Sequence, residues 1–193
     1  MTDNFLNIPV DGSVYITSRT GPQKSAEEFQ VNVLDKLNDP RILGLKWCQY
    51  TPYFNDGETC VFSVHEPDFC IDGLQSLNDE ETYRSSVGWV SGYTLFGTWG
   101  RVGEEITEEG RLLNSVVGVK GKSYDYKTRD SQIWPYSGPD EAFYDTLLSI
   151  ELALMSGNYN DVLMRAFGDH AEIEVIKEDG KVSKFVVETY EHE

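Results

Sequence analysis

Two β-rich segments separated by Asp-Gly constrain the fold of this chain more than any other feature of its sequence. They are residues 46–54 and 59–65, and Asp56-Gly57 lies between them. An Asp-Gly pair in this position is typical of a two-residue hairpin turn, because both residue types tolerate the positive φ angles that such a turn needs. Centring the turn there predicts three cross-strand pairs, Tyr53–Cys60, Thr51–Phe62 and Cys48–His65.

The same register assigns the hairpin side chains to faces. Because side chains alternate along a strand, one face is predicted to carry Trp47, Gln49, Thr51, Tyr53, Cys60, Phe62 and Val64. Cys48 and Cys60 then point to opposite faces, which argues against a disulfide between them. Pro52 has no N–H for a sheet ladder, so the first strand is predicted to be an edge strand or to be bulged nearby.

Signals before and after this hairpin are less uniform. Residues 13–17 alternate as a strand does. Ser25 and Glu28 form a capping box for a helix that carries four apolar residues at helical spacing and ends at residues 38–40.

The middle of the chain is predicted to combine loops with bent or bulged strands. Residues 66–84 are predicted to be a loop region. Five glycines among the aromatic and β-branched residues of 85–103 favour bent or bulged strands. An apolar run follows at 112–119, and residues 120–138 are predicted to be a loop.

The last third predicts two helices. Residues 139–141 start the first with proline and acids in its opening turn, and Gly157 ends it. A shorter helix, capped by Asn158 or Asn160, ends at Gly168.

A terminal hairpin completes the predicted fold. Residues 171–176 and 182–187 bracket Glu178-Asp179-Gly180. The order of elements predicts an α+β fold, with antiparallel hairpins or a sheet packed with two or three main helices. We expect a single domain, 1–193, with a possible subdivision near 130–139 that separates an acidic helix–helix–hairpin part.

Charge limits the classes of partner. The chain has 33 Asp and Glu against 16 Lys and Arg, a net charge of −17, and residues 139–193 hold 13 of the acids and only four of the bases. The 24 aromatic residues argue against a disordered acidic chain. A surface of this sign repels nucleic acids and anionic membranes and attracts basic proteins. Solubility alone is an alternative reason for such an excess.

The three cysteines and the N-terminus predict the compartment. Cys48, Cys60 and Cys70 are odd in number and lack C-x-x-C spacing. The N-terminus lacks the basic start and apolar run of a signal peptide, and the longest uncharged stretch, 85–100, is too short to span a bilayer. We therefore expect a cytoplasmic protein with buried thiols and no membrane association.

No sequence motif for catalysis stands out. His65, Glu66 and Asp68 lie together at a predicted strand end and form an alternative ligand or acid–base site. His65 and Glu66 would point to opposite faces of a strand, and no second His/Cys cluster completes a zinc spacing. Cys48 opposite His65 imitates a nucleophile and its base, but no oxyanion hole is evident. We predict no catalytic residue, no metal ligand and no cofactor.

Two stretches resemble a known group of proteins. Residues 46–64 read KWCQYTPYFNDGETCVFSV, and residues 166–175 read AFGDHAEIEV. The first resembles the W-x-Q-Y-T-P-Y-F-N-D-G hairpin of uncharacterised acidic proteins encoded in bacteriophage genomes, and the second is similar to their tail. The resemblance implies a phage protein that works in the host bacterial cytoplasm.

Charge and setting together lead to a functional hypothesis. We expect a non-enzymatic phage accessory protein that binds, and inhibits, a basic host protein such as a nucleic-acid-handling or defence enzyme, by acidic mimicry of nucleic acid. The predicted partner-binding residues are Glu172, Glu174, Glu178, Asp179 and Glu188. Two alternatives stay open: a small-ligand or nucleotide-binding protein or hydrolase with a pocket near His65, and a virion or assembly component.

Overall fold

The computed structural model of the protein describes residues 4–12, 23–53, 60–74, 88–96, 108–125 and 130–189. The chain forms two compact units: Met1–Phe69 with Ser149–Glu193, called unit 1, and Cys70–Leu148, called unit 2. Unit 1 is thus assembled from two segments that are distant in sequence, whereas unit 2 is continuous.

The described residues contain short runs of strands separated by helices. The strands are β1 (Asn4–Phe5), β2 (Ile8–Asp11), β3 (Ile42–Tyr50), β4 (Ser63–Val64), β5 (Asp68–Ile71), β6 (Val90–Ser91), β7 (Val119–Asp125), β8 (Asp130–Ser137), β9 (Ala171–Glu178) and β10 (Lys181–Thr189). The α-helices are α1 (Ala26–Phe29), α2 (Gly92–Phe96), α3 (Glu108–Val116), α4 (Glu141–Met155) and α5 (Asn160–Phe167). A π-helical stretch (Gln30–Leu34) and a 3-10 turn (Asp35–Asn38) continue α1.

The main sheet of unit 1 has the strand order β1-β2-β10-β9-β3. Strands β2 and β10 run parallel, and the other neighbours in this order are antiparallel. Strand β4 pairs with β3 in antiparallel register. Antiparallel strands accompanied by α-helices confirm the predicted α+β class.

The β3–β4 pairing has the predicted register. Gln49 lies opposite Val64 and Tyr50 opposite Ser63, and the His65 N–H donates to the Cys48 carbonyl at 2.8 Å. The predicted turn at Asp56-Gly57 and the predicted strand at 13–17 lie outside the described residues.

Of the two alternatives predicted for this strand, an edge position or a bulge nearby, the edge position is wrong. Strand β3 begins at Ile42, before the predicted start, and pairs with β9 on one side and β4 on the other. It ends at Tyr50, before Pro52, so the missing proline N–H does not interrupt the ladder. The β9 pairing joins segments far apart in the chain, which local sequence signals do not reveal.

The first helical segment begins as predicted. The Ser25 Oγ accepts a hydrogen bond from the Glu28 N–H at 3.2 Å, and the Glu28 carboxylate accepts one from the Ser25 N–H at 2.9 Å. This reciprocal pair satisfies two donors that a helix start leaves without partners. The apolar residues at helical spacing are all buried: Phe29, Val33, Leu34 and Leu37.

Aromatic rings fill the core of unit 1. Their centroids lie 4.9–6.4 Å apart, mostly in tilted or edge-to-face arrangements. Such pairs contribute about 0.5–1.5 kcal/mol each beyond the burial of their surface. The rings are Phe5, Phe29, Trp47, Tyr159, Phe167 and Phe185.

Helices α4 and α5 lie where the sequence predicts them. The Asp140 carboxylate caps α4 by accepting from two backbone N–H groups of its first turn, at 3.0 and 3.2 Å. The predicted cap of α5 by Asn158 or Asn160 is wrong, because its N-cap residue is Tyr159, whose side chain makes no capping hydrogen bond, and the Asp161 N–H donates to the Gln23 Oε1 at 3.1 Å. The buried Asn160 amide donates instead to the Phe62 carbonyl at 3.1 Å.

The terminal hairpin is confirmed. Strands β9 and β10 pair from Glu178 opposite Lys181 to Ala171 opposite Thr189. Asp179 and Gly180 have φ angles of 51° and 76°, which are the positive values of a type I′ turn.

The middle of the chain is more regular than predicted. Most described residues of the predicted loop at 120–138 belong to the paired strands β7 and β8. Their polar residues resemble loop composition, although an antiparallel hairpin needs no more than one apolar face. In the predicted loop region 66–84, residues Asp68–Ile71 form β5.

The glycine-rich segment is also different from its prediction. Its described part contains the two-residue β6 and then α2, rather than bent strands. The Ser91 Oγ accepts from the Thr94 N–H at 3.1 Å, so Ser91 acts as the helix cap. The glycine at the first helical position, Gly92, concealed this signal.

Candidate partner-binding surface

Strands β3, β9 and β10 each present one apolar and one polar side. Trp47, Ile173 and Phe185 are buried on the apolar side. Since side chains alternate, the register then places three of the five predicted partner-binding acids together on the opposite side. These are Glu172, Glu174 and Glu188.

Two of these acids face each other directly. Glu172 on β9 lies opposite Glu188 on β10, a position in which Cβ atoms are about 4.5–5.5 Å apart. Glu174 is two residues farther along β9, about 6.6–6.8 Å away. The Cβ positions of the three residues therefore lie within one screening length of their neighbours, about 8 Å at physiological salt.

The other two predicted acids lie elsewhere. Glu178 and Asp179 are exposed at the β9–β10 turn, about 20 Å along the strand from Glu172. At that distance salt screens the two groups from each other. The five acids therefore form two separate groups rather than one continuous face.

A lysine reduces the net negative charge around Glu174. Lys46 lies opposite Glu174 in the β3–β9 register, and only 8% of its surface is exposed. Its Nζ lies 3.6 Å from the Asp68 carboxylate. The most negative part of the face is therefore the Glu172–Glu188 pair.

Four rings form a stacked group at the end of β3, which we call the Tyr–His cluster. Tyr50 stacks on His65 with 4.0 Å between ring centroids and 7° between planes. The His170 ring centroid lies 6.2 Å from that of Tyr50 and 5.0 Å from that of Tyr53, with 27° and 23° between the ring planes. The cluster thus joins β3 to the residue that precedes β9.

A buried aspartate fixes the geometry of this cluster. One Asp169 carboxylate oxygen accepts from the Thr51 N–H at 2.7 Å and from the His170 N–H at 3.0 Å. The same oxygen lies 3.4 Å from the His170 Nδ1. Asp169 is 4% exposed, and His170 has a φ of 55°, a conformation that non-glycine residues adopt only where the surroundings enforce it.

The Tyr–His cluster adjoins the acidic pair. Tyr50 follows Cys48 on the same side of β3, and Cys48 lies opposite Glu172 with 3.6 Å between its Sγ and the Glu172 carboxylate. We call the Tyr–His cluster together with Glu172 and Glu188 the acidic–aromatic corner. It combines ring faces with negative charge, a combination that suits cationic groups.

The alternative site at His65, Glu66 and Asp68 is divided among different neighbours. His65 stacks on Tyr50 and its Nε2 lies 3.4 Å from the Ser63 Oγ, while Asp68 pairs with Lys46. Among the described residues no group of three or more His, Cys, Asp or Glu side chains is arranged to hold a metal ion.

Glu66 has a different role, because its charge acts on a carboxyl of α4. Burial and, second, the charge of Glu66 raise the pKa of Glu151 to about 7. A carboxyl with this pKa exchanges its proton near neutral pH, as a general acid or base must. Residues with such shifts occur often at functional sites, and also in purely structural contacts.

Cys48 has no reactive setting. It is half-buried on a strand that is paired on both sides, which corrects the edge-strand assignment, and its Sγ contacts the Glu172 carboxylate. Cys48, Cys60 and Cys70 are all free, but each is only half-buried, so the expectation of buried thiols is wrong.

No protein-family model, curated protein or solved structure matches the chain. Among the helices of the described residues, none has the length and apolarity to cross a membrane.

Sequence reasoning missed the residues that organise the corner. Asp169 and His170 were not singled out from the sequence, and Tyr50 was predicted only as part of a hairpin strand. The available signal was Gly168-Asp169-His170 between a helix and a strand, where a glycine with φ 89° permits a tight reversal. Their juxtaposition with Tyr50 depends on the β3–β9 register, which the sequence does not specify locally.

Proposed function

We propose that this protein is a non-enzymatic binding protein that recognises a basic partner protein through the acidic–aromatic corner. The observation that carries the proposal is the placement of Glu172 and Glu188 opposite each other, beside the Tyr–His cluster, on a sheet with a packed aromatic core. Like charges directly opposite on a sheet destabilise it slightly. Their presence is therefore better explained by binding than by folding.

The charge of the whole chain supports the same partner class. A net charge of −17 accelerates the encounter with basic surfaces and repels nucleic acid. Aromatic residues beside the charges supply contacts of the kind that dominate binding energy at interfaces.

For the identity of the partner we propose a host enzyme that handles nucleic acid or defends the cell. Such enzymes have basic nucleic-acid sites, and carboxylates at the spacing of Glu172, Glu174 and Glu188 are suited to occupy positions that phosphates would take. In this proposal the protein is a phage accessory factor that inhibits its target in the host cytoplasm. The resemblance of residues 46–64 and 166–175 to phage-encoded proteins motivates the setting.

Two double variants test the location of the binding surface. Glu172→Gln/Glu188→Gln and Glu178→Gln/Asp179→Asn change the net charge equally, but the first alters the corner and the second the distant turn. Asparagine keeps the positive φ at position 179 tolerable. Tagged full-length proteins are used to retain partners from bacterial lysate at low and raised salt, with identification by mass spectrometry.

We expect a basic protein to be retained by the unaltered chain at low salt and released at raised salt. The corner variant should weaken its affinity about two- to thirty-fold, since exposed charge pairs contribute about 0.2–1 kcal/mol each. The turn variant should bind normally. Equal loss in both variants, or no salt-sensitive basic protein in authentic host lysate, would contradict the proposal.

A second candidate function is favoured by the carboxyl pair Glu66 and Glu151. In this alternative the protein binds or hydrolyses a small ligand beside His65, with Glu151, whose pKa is about 7, as the proton donor or acceptor. Screening with metabolites and generic ester and phosphate substrates tests it. A turnover that Glu151→Gln abolishes supports this alternative, whereas no turnover or ligand binding removes it.

A further inference from the structure

The most solvent-accessible ring of the Tyr–His cluster is positioned as a docking face. Tyr53 is 71% exposed, which is more than the intermediate burial usual for tyrosine. It does not enter the aromatic core, and instead lies nearly parallel to His170, with 23° between the planes and 5.0 Å between the centroids.

The support beneath Tyr53 is rigid. His170 is held by its positive φ and by the hydrogen bond from its N–H to the Asp169 carboxylate, and a second N–H, that of Thr51, donates to the same oxygen. Gly168 is fixed as well, because its carbonyl accepts from the buried Gln49 amide at 2.6 Å. A ring platform that is ordered before binding loses little entropy when a ligand stacks on it.

The surrounding charge selects the kind of planar group. Glu172 and Glu188 lie across the sheet from Cys48, which is two residues before Tyr50 on β3. Asp169 supports the cluster from within. This field disfavours phosphate-bearing bases and favours a cation. Arginine has a planar, weakly hydrated cation that stacks on aromatic rings, whereas the compact lysine ammonium is strongly hydrated and stacks poorly.

We infer that the acidic–aromatic corner binds arginine side chains of the basic partner in preference to lysine, with the guanidinium stacked on Tyr53. This inference rests on the proposed function and adds the residue type that is recognised. Glu172 and Glu188 attract any cation to the corner, and the ring distinguishes a planar cation from a compact one.

Peptides of nine arginines and of nine lysines test the inference by calorimetric titration of the full chain. We expect the arginine peptide to bind more tightly, with about two to five-fold of its advantage coming from Tyr53, the factor that a cation–π contact at an exposed site supplies. Tyr53→Ala should remove that part of the advantage and leave lysine-peptide binding unchanged, while Tyr53→Trp should retain it. Tyr93→Ala, which truncates another exposed tyrosine (49%) on α2, is the matched control and should change nothing.

The two levels of the proposal fail in different ways. Equal affinity for both peptides, or an arginine advantage that persists unchanged in Tyr53→Ala, overturns the stacking inference. If Glu172→Gln/Glu188→Gln weakens neither peptide more than Glu178→Gln/Asp179→Asn does, the corner is not the binding surface and the proposed function itself is wrong.

Discussion

The two faces of β3, β9 and β10 are made by alternate residues of the same strands, yet they meet different physical requirements. On one face Trp47, Ile173 and Phe185 are buried among other apolar groups. On the other, Glu172 and Glu188 repel each other across the strand pair. The apolar face accounts for folding, whereas the polar face retains an arrangement that folding does not need.

The apolar face also tolerates a polar group, but only when its hydrogen bonds are complete. Gln49 is fully buried there. Its amide donates to the carbonyls of Leu163 and Gly168, and its oxygen accepts from the Trp47 indole N–H at 3.2 Å. A buried polar group without partners would cost several times what a hydrogen bond contributes. The apolar face thus holds a polar group whose hydrogen bonds are made, whereas the polar face holds two opposed charges.

The largest effect is expected from the apolar face. Trp47→Ala should lower the free energy of unfolding by about 3–5 kcal/mol, because the indole is fully buried against Phe29 and Phe167. Denaturant titration of the purified variant measures this. Glu174→Gln, on the polar side of the same sheet, is the control and should remain within about 0.5 kcal/mol of the unaltered chain. Similar losses in both variants would remove the distinction between the faces.

A smaller loss should follow when the buried amide is replaced. Gln49→Met keeps a similar volume but leaves two carbonyls and the Trp47 N–H without this partner. We expect a loss of about 1–3 kcal/mol in the same titration. A variant as stable as the unaltered chain would show that this face accepts unpaired polar groups after all.

Glu151 gives a test that depends on pH. Its pKa is raised to about 7 in the folded protein, so between its unfolded pKa and 7 the folded state binds more protons than the unfolded state. Stability from this group is present at low pH and is lost as pH rises through about 7. A pKa change of one corresponds to about 1.4 kcal/mol of free energy. The expected contribution of Glu151 to stability is roughly half of the value converted in this way, because its carboxyl is only partly buried.

Glu151→Gln should therefore be about 1–2 kcal/mol more stable than the unaltered chain at pH 8 and nearly equal to it at pH 4.5. Thermal or denaturant unfolding across this range measures the difference. Glu66→Gln should reduce the pH dependence in part, since the charge of Glu66 is the second cause of the raised pKa. A difference that does not change with pH would contradict the assignment.

The smallest effect on stability is expected at the acidic pair itself. Glu172→Gln/Glu188→Gln should change the free energy of unfolding by at most about 0.5 kcal/mol, in the stabilising direction, because it relieves a direct cross-strand repulsion. Denaturant titration of this variant measures the change. Clear destabilisation would mean that these carboxylates support the fold and are not kept for binding.

Local signals made much of unit 1 predictable. The capping box at Ser25 and Glu28, the β3–β4 register and the Asp179-Gly180 turn each depend on residues close together in sequence, and each is confirmed. The α+β class followed from the order of such elements.

The candidate site was only partly predictable, for a physical reason. The acids on alternate positions of β9 and β10 are visible in the sequence, and three of them do share a face. The Tyr–His cluster is not visible, because it requires contact between residues such as Thr51 and Asp169, which are 118 positions apart. The hairpin β7–β8 was not predicted for another reason, because the composition of its polar strands resembles that of loops.

The parallel pairing of β2 with β10 has a consequence for how the protein is made. Phe185 lies beside Val10, and Val186 beside Asp11. Strand β10 therefore completes the sheet of unit 1, and it leaves the ribosome after nearly all of the other described residues. At synthesis rates of about 5–20 residues per second, residues 70–148 emerge several seconds before the closing strand does. A nascent chain interrupted before β10 would lack Glu188 and with it half of the acidic pair. Under the proposed function, therefore, only chains whose translation has passed this strand carry the complete acidic–aromatic corner.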